Sequence, residues 1–366
     1  MRIVRLPPPR SLTLARAVSV PTSVTGVPTR REAAAPAVPT GEHAGKGLPR
    51  DPLAPPLLTT FRPRHLFNPA TGWFRRAERR TNNTLSRHVF PRIAGMRWPY
   101  GRILERQLMA SHAELALADL PEAFFGIRVL LLTDIHTGPF LSRQTLERTF
   151  VRLMDLRPDV ILLGGDLATT CVAELERVMV CFRRLVAPLG VYAVLGNHDH
   201  YTGDPAAIRS LLAGVGISLL DNTSTRLSRG GASLFLAGVD DLVEGEPRLD
   251  EALAGRPEHG PTLLLSHNPD IFPEAVQRRV SLVLSGHTHG GQIRVPGLPV
   301  LVRQSRFRFD EGCFRAGDSQ LVVSRGLGAT GLPLRIACPP EAVLLTLLPH
   351  GRDDVGEAAG STSLVG

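Results

Sequence analysis

Five short blocks carry side chains suited to binding divalent cations. They are Thr133-Asp134-Ile135-His136, Gly165-Asp166, Gly196-Asn197-His198-Asp199, the serine-flanked His267, and Gly286-His287-Thr288-His289-Gly290-Gly291. Carboxylate and amide oxygens suit Mn or Mg, imidazole suits Zn, Fe or Mn, and no thiolate takes part. Two cations in one open site imply hydrolysis, most naturally of a phosphate ester. Asp134/His136 and His287/His289 are i, i+2 pairs, which can point the same way from an extended backbone. The glycines around the second pair permit close approach and positive φ. Asp166 can bridge two ions with its two oxygens, Asn197 offers a neutral carbonyl oxygen, and His267 adds an imidazole.

Each block alone is ordinary. A lone Gly-Asp is a turn signal, and a single His after a strand is more often hydrogen-bonded than ligating. The conjunction is what points to a metal site, because every block ends or follows an apolar run and delivers ligand-type atoms.

The positioning elements follow from periodicity. An apolar run predicts a strand over 127–132 ending at Asp134. A helix is expected over 142–157, with apolar residues at Leu146, Phe150, Leu153 and Leu156 and Ser142 as N-cap. Further strands are expected at 160–163 and 191–195, with helices at 172–187 and 204–214. This strand–helix rhythm places Asp134, Asp166 and Asn197 side by side at strand C-termini, where open α/β sheets bind ligands. Beyond 215 the pattern turns to strands, at 217–220, 225–228, 233–239, 262–265, 281–284, 292–295, 320–324 and 342–348. A helix at 270–279 interrupts them, and a second, mixed sheet is expected. Residues 106–120 read as an edge strand, with helix as the alternative.

Composition divides the chain into four parts. Of 42 Lys+Arg and 34 Asp+Glu, residues 1–100 hold 17 and 4, leaving 25 and 30 for the rest. The basicity therefore belongs to the N-terminal region, and the remainder is mildly acidic, which argues against a nucleic-acid groove. Residues 1–60, rich in Pro, Ala, Arg and Thr, are expected to be a disordered leader. Residues 61–99 form a basic extension, 100–350 the folded domain, and 351–366 a frayed tail. Within the extension, 61–80 mixes aromatics with arginines. It reads either as an amphipathic helix touching anionic membrane or as a segment packed on the domain. The four cysteines fit neither a zinc knuckle nor a disulfide framework, so buried thiols in a reducing compartment are the default. No apolar run reaches the roughly 20 residues of a membrane span. No hydrophobic segment follows Arg30-Arg31, so a secretory or twin-arginine signal is not expected. The protein is expected to be cytoplasmic, with a peripheral membrane position as the variant.

The order and wording of the blocks resemble the calcineurin-like metallophosphoesterases over roughly 125–348. Ser266-His267-Asn268-Pro269-Asp270, Ser324-Arg325-Gly326-Leu327-Gly328 and Pro340-Glu341 are similar to a compact bacterial branch of phosphodiesterases and UDP-diacylglucosamine pyrophosphatase-like proteins. The resemblance implies an α/β fold, a four-layer αββα sandwich of two mixed sheets flanked by helices. It also implies two divalent cations (Mn, Zn, Fe or Mg, with Mn preferred). One would be held by Asp134, His136, Asp166 and His289, and the other by Asp166, Asn197, His267 and His287. Hydroxide between the ions would attack phosphorus, with His198 as acid for the departing oxygen. Leu167-Ala168-Thr169-Thr170 replaces the Asp-Arg-Gly of protein phosphatases, which leaves the orienting partner of His198 unidentified. No tyrosine lies near the second block as in purple acid phosphatases. Gly-Asn-His-Asp departs from the Gly-Asn-Arg-Asp of lipid-A pathway hydrolases. The expected substrate is a small-molecule or lipid-linked phosphodiester, pyrophosphate or phosphomonoester. The alternatives are a phospho-ligand scaffold with a non-catalytic site, and a nuclease.

Overall fold

A computed structural model describes residues 2–5, 84, 99–296, 300 and 303–350. The readings of 61–80 as a membrane-touching or packed segment and of 351–366 as a tail lie outside the described residues, as does most of the proposed leader.

The described strands are β1 (Arg2–Arg5), β2 (Met109–Leu117), β3 (Arg128–Leu132), β4 (Val160–Gly164), β5 (Val191–Val194), β6 (Ser218–Leu219), β7 (Thr223–Arg229), β8 (Ala232–Gly238), β9 (Thr262–Leu265), β10 (Leu282–Ser285), β11 (Gly312–Ala316), β12 (Ser319–Val323) and β13 (Glu341–Pro349). They form two sheets, ordered β1-β2-β13-β3-β4-β5-β6 and β11-β12-β10-β9-β8-β7. The centre of each is parallel: β3, β4 and β5 in the first sheet, and β8, β9, β10 and β12 in the second.

Alternation along each strand sorts side chains between layers. Val129, Leu131, Val160, Leu162, Val343 and Leu345 face Leu236, Leu263, Leu265, Leu282, Leu284 and Val322 between the sheets. On the outer face of the first sheet, Leu130, Leu132, Ile161 and Leu163 pack against Leu146, Phe150, Phe182 and Leu212, all from helices. On the outer face of the second sheet, Phe235, Leu264 and Val283 meet Leu249, Ala252, Phe272 and Ala275. This is the expected helix–sheet–sheet–helix sandwich.

The helix Arg143–Met154 begins where expected, with the Ser142 hydroxyl accepting from Thr145 N at 3.0 Å. The helix Pro205–Ala213 is capped the same way by Asp204. Four expectations need correction. The 172–187 helix is two short ones, Val172–Glu176 and Met179–Phe182. Between them, Arg177 reaches back to the carbonyls of Thr137, Gly138 and Leu141 and diverts the chain. Residues 292–295 are not a strand: Gln292 sits at φ 53° and turns the backbone, leaving one bridge, Ile293 to Ile336. β2 is not an edge, because β13 flanks it on one side and β1 on the other. β1 itself lies within residues assigned to the disordered leader. Its apolar Ile3 and Val4 pair with Ser111 and Ala110, a backbone match that composition does not reveal.

Candidate metal centre

The five blocks meet where the C-terminal ends of the two sheets' parallel strands face each other. β3 delivers Asp134 and His136, β4 delivers Asp166, β5 leads into Asn197 and His198, β9 into His267, and β10 into His287 and His289. Asp134, His136, Asp166 and His289 are all buried, and their ligand atoms lie within 4.8 Å of one another. His136 Nε2 lies 3.1 Å from His289 Nε2 and 3.5 Å from Asp166 Oδ2. His289 Nε2 is 3.4 Å from Asp134 Oδ1.

Asp166 also faces the second group. His267 Nε2 lies 3.3 Å from the same Oδ2, and His287 Nδ1 lies 3.2 Å from His267 Nε2. His267 Nδ1 donates to the Gly164 carbonyl at 2.8 Å, which leaves Nε2 free to face inward. Asn197 is buried at the start of the short helix Asn197–Tyr201 that follows β5, and its Oδ1 has no hydrogen-bond partner. A buried acceptor left so costs about 1–3 kcal/mol. A divalent cation would use its lone pair, and two clustered carboxylates with three buried imidazoles form a donor set of the same kind. The residues therefore fit a divalent metal.

The backbone shows how the ligand atoms converge. Asp134, His136, Asp166, His287 and His289 all have φ between 48° and 70°. Such conformations cost non-glycine residues of order 1 kcal/mol or more and cluster at functional sites. The extended i, i+2 geometry expected of Asp134/His136 is thus corrected: each residue of the pair is itself turned inward. Gly286 is needed for space rather than for φ, since a Cβ there would lie 2.3 Å from Asp134 Oδ2. The Ser324–Gly328 segment backs the site. Leu327 N donates to Thr133 O at 3.0 Å and Gly328 N to Asp134 O at 2.6 Å.

The site's own charges are strongly coupled. Burial pushes the Asp134 carboxyl up to about 6, and the Asp166 charge adds to the rise. Burial drives His136 down to about 3, reinforced by the charge on His198, and lowers His289 likewise. Burial also works against ionisation of Asp166 and His267, but their mutual attraction overcomes it. Asp166 is held well below the usual carboxylate range, and His267 well above that of histidine.

His198 stands over this cluster, its ring 4.7 Å from that of His136. Its backbone N–H donates to Asp166 Oδ1 at 2.8 Å. Its orienting partner, unidentified in the sequence, is the carbonyl of Thr169, 2.8 Å from Nδ1. The 167–171 loop that supplies this carbonyl is held by two carboxylates. Asp199 accepts from Leu167 N and Ala168 N at 3.2 and 2.9 Å. Glu174 accepts from Thr169 N, Thr170 N and the Thr170 hydroxyl at 3.0, 2.8 and 2.7 Å. Thr330, the other residue not anticipated, places its hydroxyl 3.4 Å from His198 Nε2. A backbone acceptor and a threonine some forty residues beyond the last block leave no motif to find.

Arg325 and Arg335 are engaged within the protein rather than free for a substrate anion. Arg325 pairs with Glu341 at 3.0 Å. Arg335 is buried and donates to the carbonyls of Gly328 and Arg325.

Among the described residues, no helix is long and apolar enough to cross a membrane. The calcineurin-like phosphoesterase profile matches residues 127–291. The chain is 31% identical over 259 residues to the Bacillus subtilis uncharacterized metallophosphoesterase YkuE, covering 69% of this chain and 91% of that protein. It is 31% identical to the Escherichia coli phosphodiesterase YaeI, covering 60% of this chain and 82% of YaeI. A zebrafish (Danio rerio) transmembrane protein with metallophosphoesterase domain is 35% identical over 64% of this chain, which spans only 56% of that protein. With its sheets, its strand-end ligand atoms and these relatives in agreement, the chain belongs to the calcineurin-like metallophosphoesterases.

Proposed function

We propose that the protein hydrolyses a phosphoester with a pair of divalent cations, and that phosphodiesters are preferred. One observation carries the reading: a single carboxylate oxygen, Asp166 Oδ2, lies 3.5 Å from His136 and 3.3 Å from His267. That position between two imidazole groups suits a bridging ligand. Asp134, His136 and His289 would complete one site, and Asn197, His267 and His287 the other. The oxygen- and nitrogen-only donor set accommodates Mn as well as Zn or Fe. Bound cations of this kind bring a water's pKa to about 7 and offset charge on phosphoryl oxygens.

The chain's own contribution centres on His198. The Thr169 carbonyl only accepts, so His198 Nδ1 carries the hydrogen of that contact. Nε2 is then the nitrogen that holds and releases the proton for the leaving oxygen. The Asp166 contact to the His198 backbone keeps the ring in step with the ligand cluster. The Leu-Ala-Thr-Thr sequence at 167–170 supports a phosphodiester over a phosphoprotein substrate, as does the likeness to YaeI.

With Mn supplied, the protein should cleave bis-p-nitrophenyl phosphate. Asp166→Ala should lose both metal and turnover. His198→Ala should keep its metal and lose roughly 10²–10⁴-fold in turnover. Full activity in both variants would overturn the reading. Metal content near zero in protein purified without chelator would favour a binding or scaffold role.

A further inference from the structure

The loops beside the metal centre carry a surface that the proposed chemistry does not use. Val295, Phe307, Leu332 and Ile336 are 45%, 44%, 41% and 50% exposed, four of the seven large apolar side chains that are exposed among the described residues. Hydrogen bonds join the segments that carry them. Arg294 N donates to Ile336 O at 2.9 Å and Ile336 N to Gln292 O at 3.1 Å. The Gln292 side chain donates to the carbonyls of Thr330 and Leu332, each at 2.9 Å. The Thr288 hydroxyl donates to Asp310 O at 2.6 Å, and this draws the 303–311 segment to the same rim. Thr330 connects the rim to His198.

The charge around this rim differs from the rest of the domain. Residues 294–308 contain Arg294, Arg303, Arg306 and Arg308 and no acid, within a region whose net charge is negative. Arg294 is paired with Glu311, and Arg303 lies 3.7 Å from Asp310. Arg306 and Arg308 are exposed. Exposed aliphatic side chains interleaved with arginines are what an anionic bilayer surface recognises: the apolar groups enter the headgroup–acyl boundary and the guanidiniums meet phosphate. A second copy fits poorly, because two identical arginine-rich rims would repel. Single-stranded nucleic acid would call for stacking rings, and of these four apolar residues only Phe307 has one.

We propose that this rim docks the protein on an anionic lipid surface, with the metal centre facing the headgroups. Substrates would then be phosphoesters presented at that surface. This use of the contact rests on the phosphoesterase reading; the contact itself does not.

The test is co-sedimentation of the full chain with vesicles of phosphatidylglycerol and phosphatidylcholine, against phosphatidylcholine alone, at physiological salt. Three proteins are compared: wild type, V295S/F307S and R306S/R308S. All keep the basic N-terminal region, so it cannot account for differences among them. Wild type should bind only the anionic vesicles. Each arginine near such a surface is worth roughly fivefold in partitioning, so R306S/R308S should bind at least tenfold more weakly, and V295S/F307S should also weaken. In a separate variant, Phe307→Trp built on Trp73→Phe and Trp98→Phe so that it carries the one indole, the emission should shift to the blue on the vesicles and be quenched by brominated lipid. Cleavage of bis-p-nitrophenyl phosphate should be unchanged in both double variants, which certifies their fold. Equal binding by all three proteins, no binding by wild type, or an indole emission in Phe307→Trp that ignores lipid would overturn the proposal. So would loss of a dimer, or of a DNA gel shift, in the double variants without loss of vesicle binding. If vesicles are bound but no phosphodiester is cleaved by wild type, the hydrolase reading fails and the docking surface stands; folding is then certified by unchanged thermal melting.

Discussion

Replacing Glu174 separates the positioning of His198 from the holding of metal. Its carboxylate accepts from Thr169 N, Thr170 N and the Thr170 hydroxyl at 2.7–3.0 Å. Thr169 and Thr170 are 4% and 2% exposed, so their amides have little access to replacement water. Leaving such a donor unsatisfied costs about 1–3 kcal/mol. Glu174→Ala removes the acceptor of three amides (Thr169, Thr170 and, at 3.5 Å, Cys171) and of the Thr170 hydroxyl, and water entering the vacated space recovers part of that. The expected loss is about 2–4 kcal/mol, or roughly 4–16 °C in Tm for a domain of this size. The Thr169 carbonyl belongs to the same clamped loop, so its hold on His198 Nδ1 should slacken. Turnover of an aryl phosphodiester should fall roughly 10-fold or more, approaching the His198→Ala level. Metal content should stay near wild type, because Glu174 contacts none of the ligand side chains among the described residues. Glu174→Gln, which keeps one accepting oxygen, should fall between. Scanning fluorimetry, metal analysis after gel filtration and kcat measured below the melting range supply the three readouts. The reasoning is refuted if Glu174→Ala loses metal, or if it melts lower by the stated amount and yet turns over at the wild-type rate.

Two other perturbations test the centre itself. Gly286→Ala would put a Cβ 2.3 Å from Asp134 Oδ2 and 2.6 Å from Thr133 Oγ1. It should cost about 1–3 kcal/mol and sharply reduce bound metal by displacing the Asp134 carboxylate, which metal analysis would read directly. Manganese affinity should depend steeply on pH. Asp134 is raised to about 6, so below that pH it holds a proton that a cation must displace, and His267, raised well above its usual range, holds another. Each displaced proton weakens binding about tenfold per pH unit of acidification, so calorimetric titration should show affinity falling from pH 7 to pH 5. For Asp134 the sign is clear. Its raised pKa favours the folded state below about 3.8, and that contribution is lost as pH rises through about 6. Stabilisation of the fold by added Mn should therefore grow over the same interval, and a flat profile would count against Asp134 and His267 as ligands.

The strands and ligand types were legible because they obey short-range rules. The run 127–132 can bury itself only as a strand between layers, and Ser142 starts a helix by a contact three residues away. Seven ligand candidates at the ends of such runs were visible for the same reason. What misled were segments whose conformation depends on distant partners. The 172–187 periodicity was helical, but Arg177 binds carbonyls near 140 and breaks it. Residues 292–295 alternated like a strand, but Gln292 spends its amide on Thr330 and Leu332. β1 has almost no local signal, because its pairing with β2 joins residues more than a hundred positions apart.

By itself, then, the amino-acid order determined which atoms could bind a cation and that a parallel α/β framework would carry them, since both follow from residue chemistry and local periodicity. Only the tertiary structure decided how those atoms meet. Left-handed turns at Asp134, His136, Asp166, His287 and His289 aim side chains inward, and packing of one sheet on the other brings His267 and His136 to within 3.5 Å of one Asp166 oxygen. It also decided that a main-chain carbonyl, in a loop held by Glu174, would orient His198. Backbone groups are the same in every residue, so their roles become readable only once the chain is folded around them.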